Sequence, residues 1–167
     1  MRIGVLSDSH GHDDVVVRAV EMLVDHGVQA IVHCGDVGSP ACLEPLVTSP
    51  VPAYAVAGNM DRHVPCLARA VTHGALAFHP RTVEVPLGDG QFLIATHGHD
   101  ERLLAELVAG AHFPYVCHGH THRVNDRRVA AVRVICPGAL HCPRGRRSLT
   151  CALLDTDTDT VDLLVVA

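Results

Sequence analysis

With 167 residues, nearly half of them apolar, the chain suits one compact domain able to bury a core without disulfide or metal staples. Its formal net charge of -5 removes any global attraction for nucleic acid or an anionic membrane. The lack of Trp and scarcity of other aromatics argue for strands filled by Val, Leu, Ala and Ile beneath helices, rather than for an aromatic binding face.

Residues 2–7 form a short apolar run ending in Asp-Ser-His-Gly, and Asp13 opens a stretch with Val16, Val20, Leu23 and Val24 at helical spacing. His26-Gly27 closes that helix. A second strand at 30–33 ends in Gly35-Asp36, a second helix is expected over 40–47, and a third strand at 53–57 ends in Gly58-Asn59. In open α/β sheets ligands collect beyond the carboxyl ends of strands, so these polar turns should converge. Strands at 81–86 and 91–96 flank Leu87-Gly88-Asp89-Gly90, a hairpin signal, and the second runs into His97-Gly98-His99. Asp100 is a good N-cap for a helix carrying Leu103, Leu104 and Leu107 and stopped by Gly110. A strand at 115–118 runs into Gly119-His120-Thr121-His122. Strands at 129–136, 148–155 and 160–166 follow without a long helix, so the second half reads as an antiparallel-rich sheet. No linker or repeat divides the chain, and one mixed α/β domain over 1–167 is expected.

No charged-then-apolar leader is visible, the seven Cys include no C-x-x-C, and nothing reads as a membrane span; these features point to the cytosol. The unusual count is His, 14 in all, several in Gly-flanked turns where a packed core has no need of them. Asp8-Ser9-His10 alone is an ordinary capping turn, and Gly35-Asp36 and Gly58-Asn59 are common turns too. His120-Thr121-His122 is sharper, because alternate imidazoles in a tight loop suit first-row divalent metals. With His97 added, two carboxylates, one amide and four imidazoles exceed the needs of one four-coordinate zinc. They fill two metal sites if one carboxylate bridges. Two such cations match an anionic phosphate oxygen as the substrate group.

In order and spacing the motifs D-x-H, G-D, G-N-x-D, H-G-H and G-H-x-H resemble the calcineurin-like metallophosphoesterases, most closely the compact bacterial and archaeal phosphodiesterases, to which the retromer scaffold subunit is also related. The resemblance implies a four-layer α/β/β/α sandwich of two mixed sheets flanked by helices. It implies one metal on Asp8, His10 and His122, a second on Asn59, His97 and His120, and Asp36 bridging. The metals would be two divalent ions drawn from manganese, nickel, iron or zinc, and a hydroxide bridging them would attack the phosphorus of a small phosphoester in line. Where many members carry His after the Asn, this chain has Met60, which has no proton to give; His99 is the nearest replacement. Nothing in the sequence defines a substrate pocket, so phosphomonoester or nucleotide hydrolysis stands open beside phosphodiester hydrolysis, and homo-oligomerisation is open too. A retromer-type interaction module is the rival of another class, and seven intact ligand positions weigh against it.

Residues 155–160 lack the Gly and Glu of a calcium loop and read as a polar hairpin turn. Pro137-Gly138 is similar to the family's late Asn-Pro-Gly-Ser turn without its polar ends. Arg144, Arg146 and Arg147 form a basic turn, His33 and His118 read as packed strand residues, and His12 and His141 are undecided.

Overall fold

Strand β1 (Arg2–Leu6) is followed by helix α1 (Asp13–Asp25), and β2 (Ala30–His33) pairs with β1 in parallel. This is a computed structural model, which describes residues 1–63, 76–141 and 148–167, with only the backbone at 62 and 63. Arg144, Arg146 and Arg147 lie outside the described residues, as do Cys66 and Cys142. Helix α1 buries Val15, Val16, Ala19, Val20 and Leu23, the stripe set by its 3.6-residue period, and His26 and the left-handed Gly27 end it.

The expected second helix is a 3₁₀ turn, Pro40–Leu43, running into one α-helical turn, α2 (Glu44–Val47). Pro40 and Pro45, five residues apart, with Pro50 beyond, withhold backbone donors and keep this segment short. Next comes β3 (Ala53–Val56), a 3₁₀ turn at Met60–His63, and β4 (Leu76–His79), a strand that the sequence pattern did not reveal. The hairpin β5 (Thr82–Gly88) and β6 (Gln91–Thr96) forms as expected, and α3 (Glu101–Gly110) follows it. Asp100 caps α3 by accepting from the Leu103 N–H at 3.1 Å. The helix runs through Gly110 and ends on Ala111, which adopts the left-handed conformation.

After β7 (Tyr115–Cys117) the strand expected at 129–136 is β9 (Val132–Pro137), which forms a hairpin with an unexpected strand before it, β8 (Val124–Val129). Ala130 turns the chain with φ 52°. The last hairpin is β10 (Thr150–Asp155) and β11 (Thr160–Val165), joined by a polar turn.

The strands form two mixed sheets, ordered β11-β10-β1-β2-β3-β4 and β5-β6-β7-β9-β8. The antiparallel-rich second half expected from the sequence is present in the hairpins β5-β6, β8-β9 and β10-β11, but not as one sheet: β10 and β11 extend the first sheet, and β6, β7 and β9 run parallel. Leu6, Ile31, Ala53 and Leu153 pack outward with α1 and α2. Ile3, Val32, Leu93 and Ile135 fill the space between the sheets, and Ile94, Val116 and Val134 meet Leu104 and Leu107 of α3. Helix, sheet, sheet, helix is therefore the order of layers. At about 1.5–3 kcal/mol for each fully buried aliphatic side chain, these apolar interfaces supply the main folding drive. No helix among the described residues is long and apolar enough to cross a membrane.

Candidate metal centre

The parallel strands β1, β2 and β3 direct their carboxyl ends to one edge of the first sheet, and β6 and β7 do the same in the second. Backbone hydrogen bonds join the resulting loops. Asp8 N–H donates to Gly35 C=O and His10 N–H to Asp36 C=O, each at 2.9 Å, and Gly119 N–H donates to His97 C=O at 3.0 Å. Across the sheets, His120 N–H donates to Asp8 Oδ2 at 3.0 Å. Two glycines permit this closeness: a Cβ at Gly58 would sit on the Asp36 carboxylate, and one at Gly119 on the Ser7 hydroxyl. Asp8, His10, Asp36, His120 and His122 all have φ between 47° and 67°. Asp and His are among the non-glycine residues that tolerate that region best.

Each buried carboxylate has one anchored oxygen and one oxygen aimed into the cluster. Asp8 Oδ2 accepts from the Ser7 hydroxyl at 2.6 Å, while Asp8 Oδ1 is buried without a hydrogen-bond partner among the described residues, 3.2 Å from His122 Nε2 and 3.9 Å from His10 Nε2. Asp36 Oδ1 accepts from Met60 N–H at 2.9 Å, and Asp36 Oδ2 lies 3.3 Å from His97 Nε2 and 3.8 Å from His10 Nε2. His97 is oriented by its other nitrogen, since Nδ1–H donates to Cys34 C=O at 2.8 Å. In the neutral ring Nε2 then presents a lone pair, 3.1 Å from Asn59 Oδ1 as well as beside Asp36. Three lone-pair atoms meeting this way require a proton or a cation between them.

The electrostatics express the same demand. Burial pushes the His97 pKa down, but the hydrogen bond and charge of Asp36 outweigh it and the net shift is upward. For Asp36, burial pushes upward and is outweighed by His97, the Met60 N–H and His10, so its carboxyl is held below the usual range. At His10, burial dominates over Asp36 and Asp8 and favours the neutral ring, the form that binds metal.

Donor atoms of Asp8, His10 and His122 converge within 4.8 Å of one another, as do those of Asp8, Asp36 and His97. The unpartnered Asp8 Oδ1 and the oxygen and imidazole donor set fit divalent first-row cations. Asp8 thus belongs to both groups, while Asp36 Oδ2 stands between His10 and His97. His120 places its ring 5.2 Å from that of His97, and His99 lies 5.4 Å from His97 by the same measure. His33 and His118 are buried packing residues as expected. His12 and His141 stack on each other at 4.7 Å, with His141 5.2 Å from His10.

Sequence reasoning missed the supports. Asp61 accepts from three backbone N–H groups, Val37 at 3.1 Å, Gly38 at 2.9 Å and Gly58 at 2.8 Å, and so ties the Asp36 loop to the Asn59 loop. Gly35 N–H donates to His33 Nδ1 at 3.2 Å, which leaves His33 Nε2–H to donate to Ser9 Oγ at 3.0 Å. The Ser9 hydroxyl donates onward to Val37 C=O at 3.1 Å. The only sequence signal for either support is an Asp two residues after the Asn and a His at a strand end.

A calcineurin-like phosphoesterase superfamily domain matches residues 1–159. The chain is 29% identical to a phosphodiesterase of Methanocaldococcus jannaschii over 158 residues, covering 94% of each. A solved structure described as a novel archaeal phosphodiesterase superposes with a TM-score of 0.86 at 27% identity, covering 99% of both chains. A Vps29 structure from Chaetomium thermophilum covers 99% of this chain and 95% of its own at 17% identity, with a TM-score of 0.68, a likeness of fold alone.

Proposed function

The chain belongs to the calcineurin-like phosphoesterase superfamily, and from that premise we propose that it is a two-metal phosphodiesterase acting on a small phosphoester. The observation that carries this reading is the placement of Asp36 Oδ2 between His10 and His97, with Asp36 Oδ1 held by the Met60 N–H. Asp8, His10 and His122 would hold one divalent ion, Asn59, His97 and His120 the other, and Asp36 both. The Asp8 carboxylate belongs to both groups of donors. Manganese, nickel, iron and zinc all suit this set of oxygens and imidazoles. When bound, the ions would supply Lewis acidity toward the phosphoryl oxygens and lower the pKa of water.

The chain's own residues set the conditions for that chemistry. Two buried carboxylates would repel a phosphoester from an unloaded site, so substrate binding depends on metal loading. The Cys34 carbonyl fixes the His97 ring, and Ser7 and the His120 N–H fix Asp8, so the donors are preorganised before substrate arrives. Met60 offers the leaving group no proton, and we assign assistance to His99, whose ring lies 5.4 Å from that of His97 and 6.3 Å from that of His120. The relatives named as phosphodiesterases support the diester over a monoester or nucleotide. The seven retained donors favour an enzyme over an interaction module of the retromer-subunit kind.

We place the whole chain, as one domain, in the cytosol, on the strength of the buried free thiols Cys34, Cys42, Cys117, Cys136 and Cys151. The test is calorimetric titration with each metal, followed by a screen of aryl diesters, aryl monoesters and nucleotides. Two ions per chain and fastest turnover of diesters are expected. Saturation at one ion, or a preference for monoesters, would overturn the corresponding part.

A further inference from the structure

The candidate ligands adjoin a cleft of about 400 Å³ between the loop after β3, the β4–β5 turn and the start of α3. Ala57, Pro80 and Leu103 give it apolar walls, Arg81 and Asp100 line it, and His99 is shared with the cluster, its ring 5.4 Å from that of His97 and 6.3 Å from that of His120. The size is that of a pocket for one ring system rather than a site for an ion.

Its charges decide what enters. Arg81 is the cleft's guanidinium, and its Nη2 donates to Asp100 Oδ2 at 3.2 Å. The Asp61 carboxylate also lines the cleft and is taken up by its three backbone N–H groups. Among the described residues, one paired cation against two carboxylates leaves no surplus positive charge to hold a second phosphate or a carboxylate, which calls for available Arg or Lys donors.

We propose that this cleft binds an uncharged, ring-bearing organic arm of the phosphoester, an aryl or nucleoside-like alcohol, and excludes anionic arms. The proposal rests on the phosphoesterase reading for its substrate but not for the cleft itself. Leu103, Pro80 and Ala57 contact the ring, and Asp61 and Asp100 repel arms that carry their own negative charge.

The test has two parts. The metal-free full-length chain, methyl-labelled at Ala and Leu, is titrated with phenol, uridine and para-hydroxybenzoate. Phenol or uridine should shift the Ala57 and Leu103 methyl signals, the stronger of them identifying the kind of arm, and para-hydroxybenzoate should bind about tenfold more weakly. Leu103→Trp, which fills the cleft, and the milder Leu103→Asn should both weaken the neutral probe. In the manganese-loaded chain both should raise KM for bis(para-nitrophenyl) phosphate, by about fivefold or more. Equal or tighter binding of para-hydroxybenzoate, or no shift at Ala57 and Leu103, would overturn the proposal. If the loaded chain cleaves no phosphoester, the phosphoesterase reading fails while the probe titration still decides the cleft.

Discussion

Met60 and Asp36 are linked through the backbone: the Met60 N–H donates to Asp36 Oδ1 at 2.9 Å, while the Met60 residue is 57% exposed. The position therefore orients the Asp36 carboxylate whatever side chain it carries. Met60→His should keep that hydrogen bond and change stability by no more than about 0.5 kcal/mol. Because a placed proton donor contributes roughly 10²–10⁴-fold, the new imidazole should flatten the dependence of rate on leaving-group pKa in a series of aryl diesters. The gain should fall near the low end, since Asp61 is occupied by three backbone donors and is not available to orient the ring. A shallow slope already present in the parent chain would show that another group protonates the leaving oxygen.

Asp36→Asn should reduce affinity for both ions and lower activity by more than His99→Ala does. The roughly 10–100-fold loss typical of a residue that merely supports a ligand sets the ceiling for His99. Metal content by elemental analysis, with rates at saturating manganese, separates binding from turnover. Equal losses would move the shared role away from Asp36.

Asp61→Asn places an amide NH₂ against backbone N–H groups and removes at least one of three hydrogen bonds. A cost of about 1–3 kcal/mol is expected in chemical denaturation. Metal affinity should fall with it, because the loops bearing Asp36 and Asn59 lose their common anchor. Unchanged affinity in a destabilised variant would limit Asp61 to a folding role.

Burial holds the His33 pKa down to about 4 from its ordinary 6.5. An unfolded chain takes up a proton at this ring below pH 6.5 and the folded chain does not, so stability should fall as the pH drops from 6.5 towards 4 and level off below. The loss attributable to His33 is up to about 3 kcal/mol. His33→Gln should be less stable at pH 7, having lost the hydrogen-bond relay to Ser9, yet show a shallower decline towards pH 4.5 in denaturant midpoints. Parallel declines in the two proteins would assign the acid sensitivity elsewhere.

Much of this arrangement was legible in the residues. Asp8, Asp36 and Asn59 each follow an apolar run, so period and turn chemistry place them at strand ends. The overlooked strands had physical reasons to stay hidden. In β8 the run Val-Asn-Asp-Arg-Arg-Val is exposed at all but its last residue, so no alternation marks it as a strand. Its partner is β9, with which it forms an antiparallel ladder, and the Arg133 guanidinium of β9 holds Asp126 at 2.8 and 2.7 Å. The turn at Ala130 escaped notice because alanine carries no turn signal, although its φ is 52°. Asp61 and His33 were invisible as supports because their partners are backbone N–H groups and a serine in other loops, which spacing along the chain does not encode.

Left-handed backbone recurs in turns elsewhere, at Asp89, Ala111, Ala130 and Asp159, but at Asp8, His10, Asp36, His120 and His122 it falls on the candidate ligands. Glycine would relax each of them, and every such exchange would delete a donor from the cluster. Selection for heat resistance alone would therefore drift toward an inert sandwich, and a library screened only for folding would lose its catalysts first. The same five kinks also limit transplantation: grafting the side chains onto a sandwich with ordinary loops would carry over the composition of the site but not its geometry.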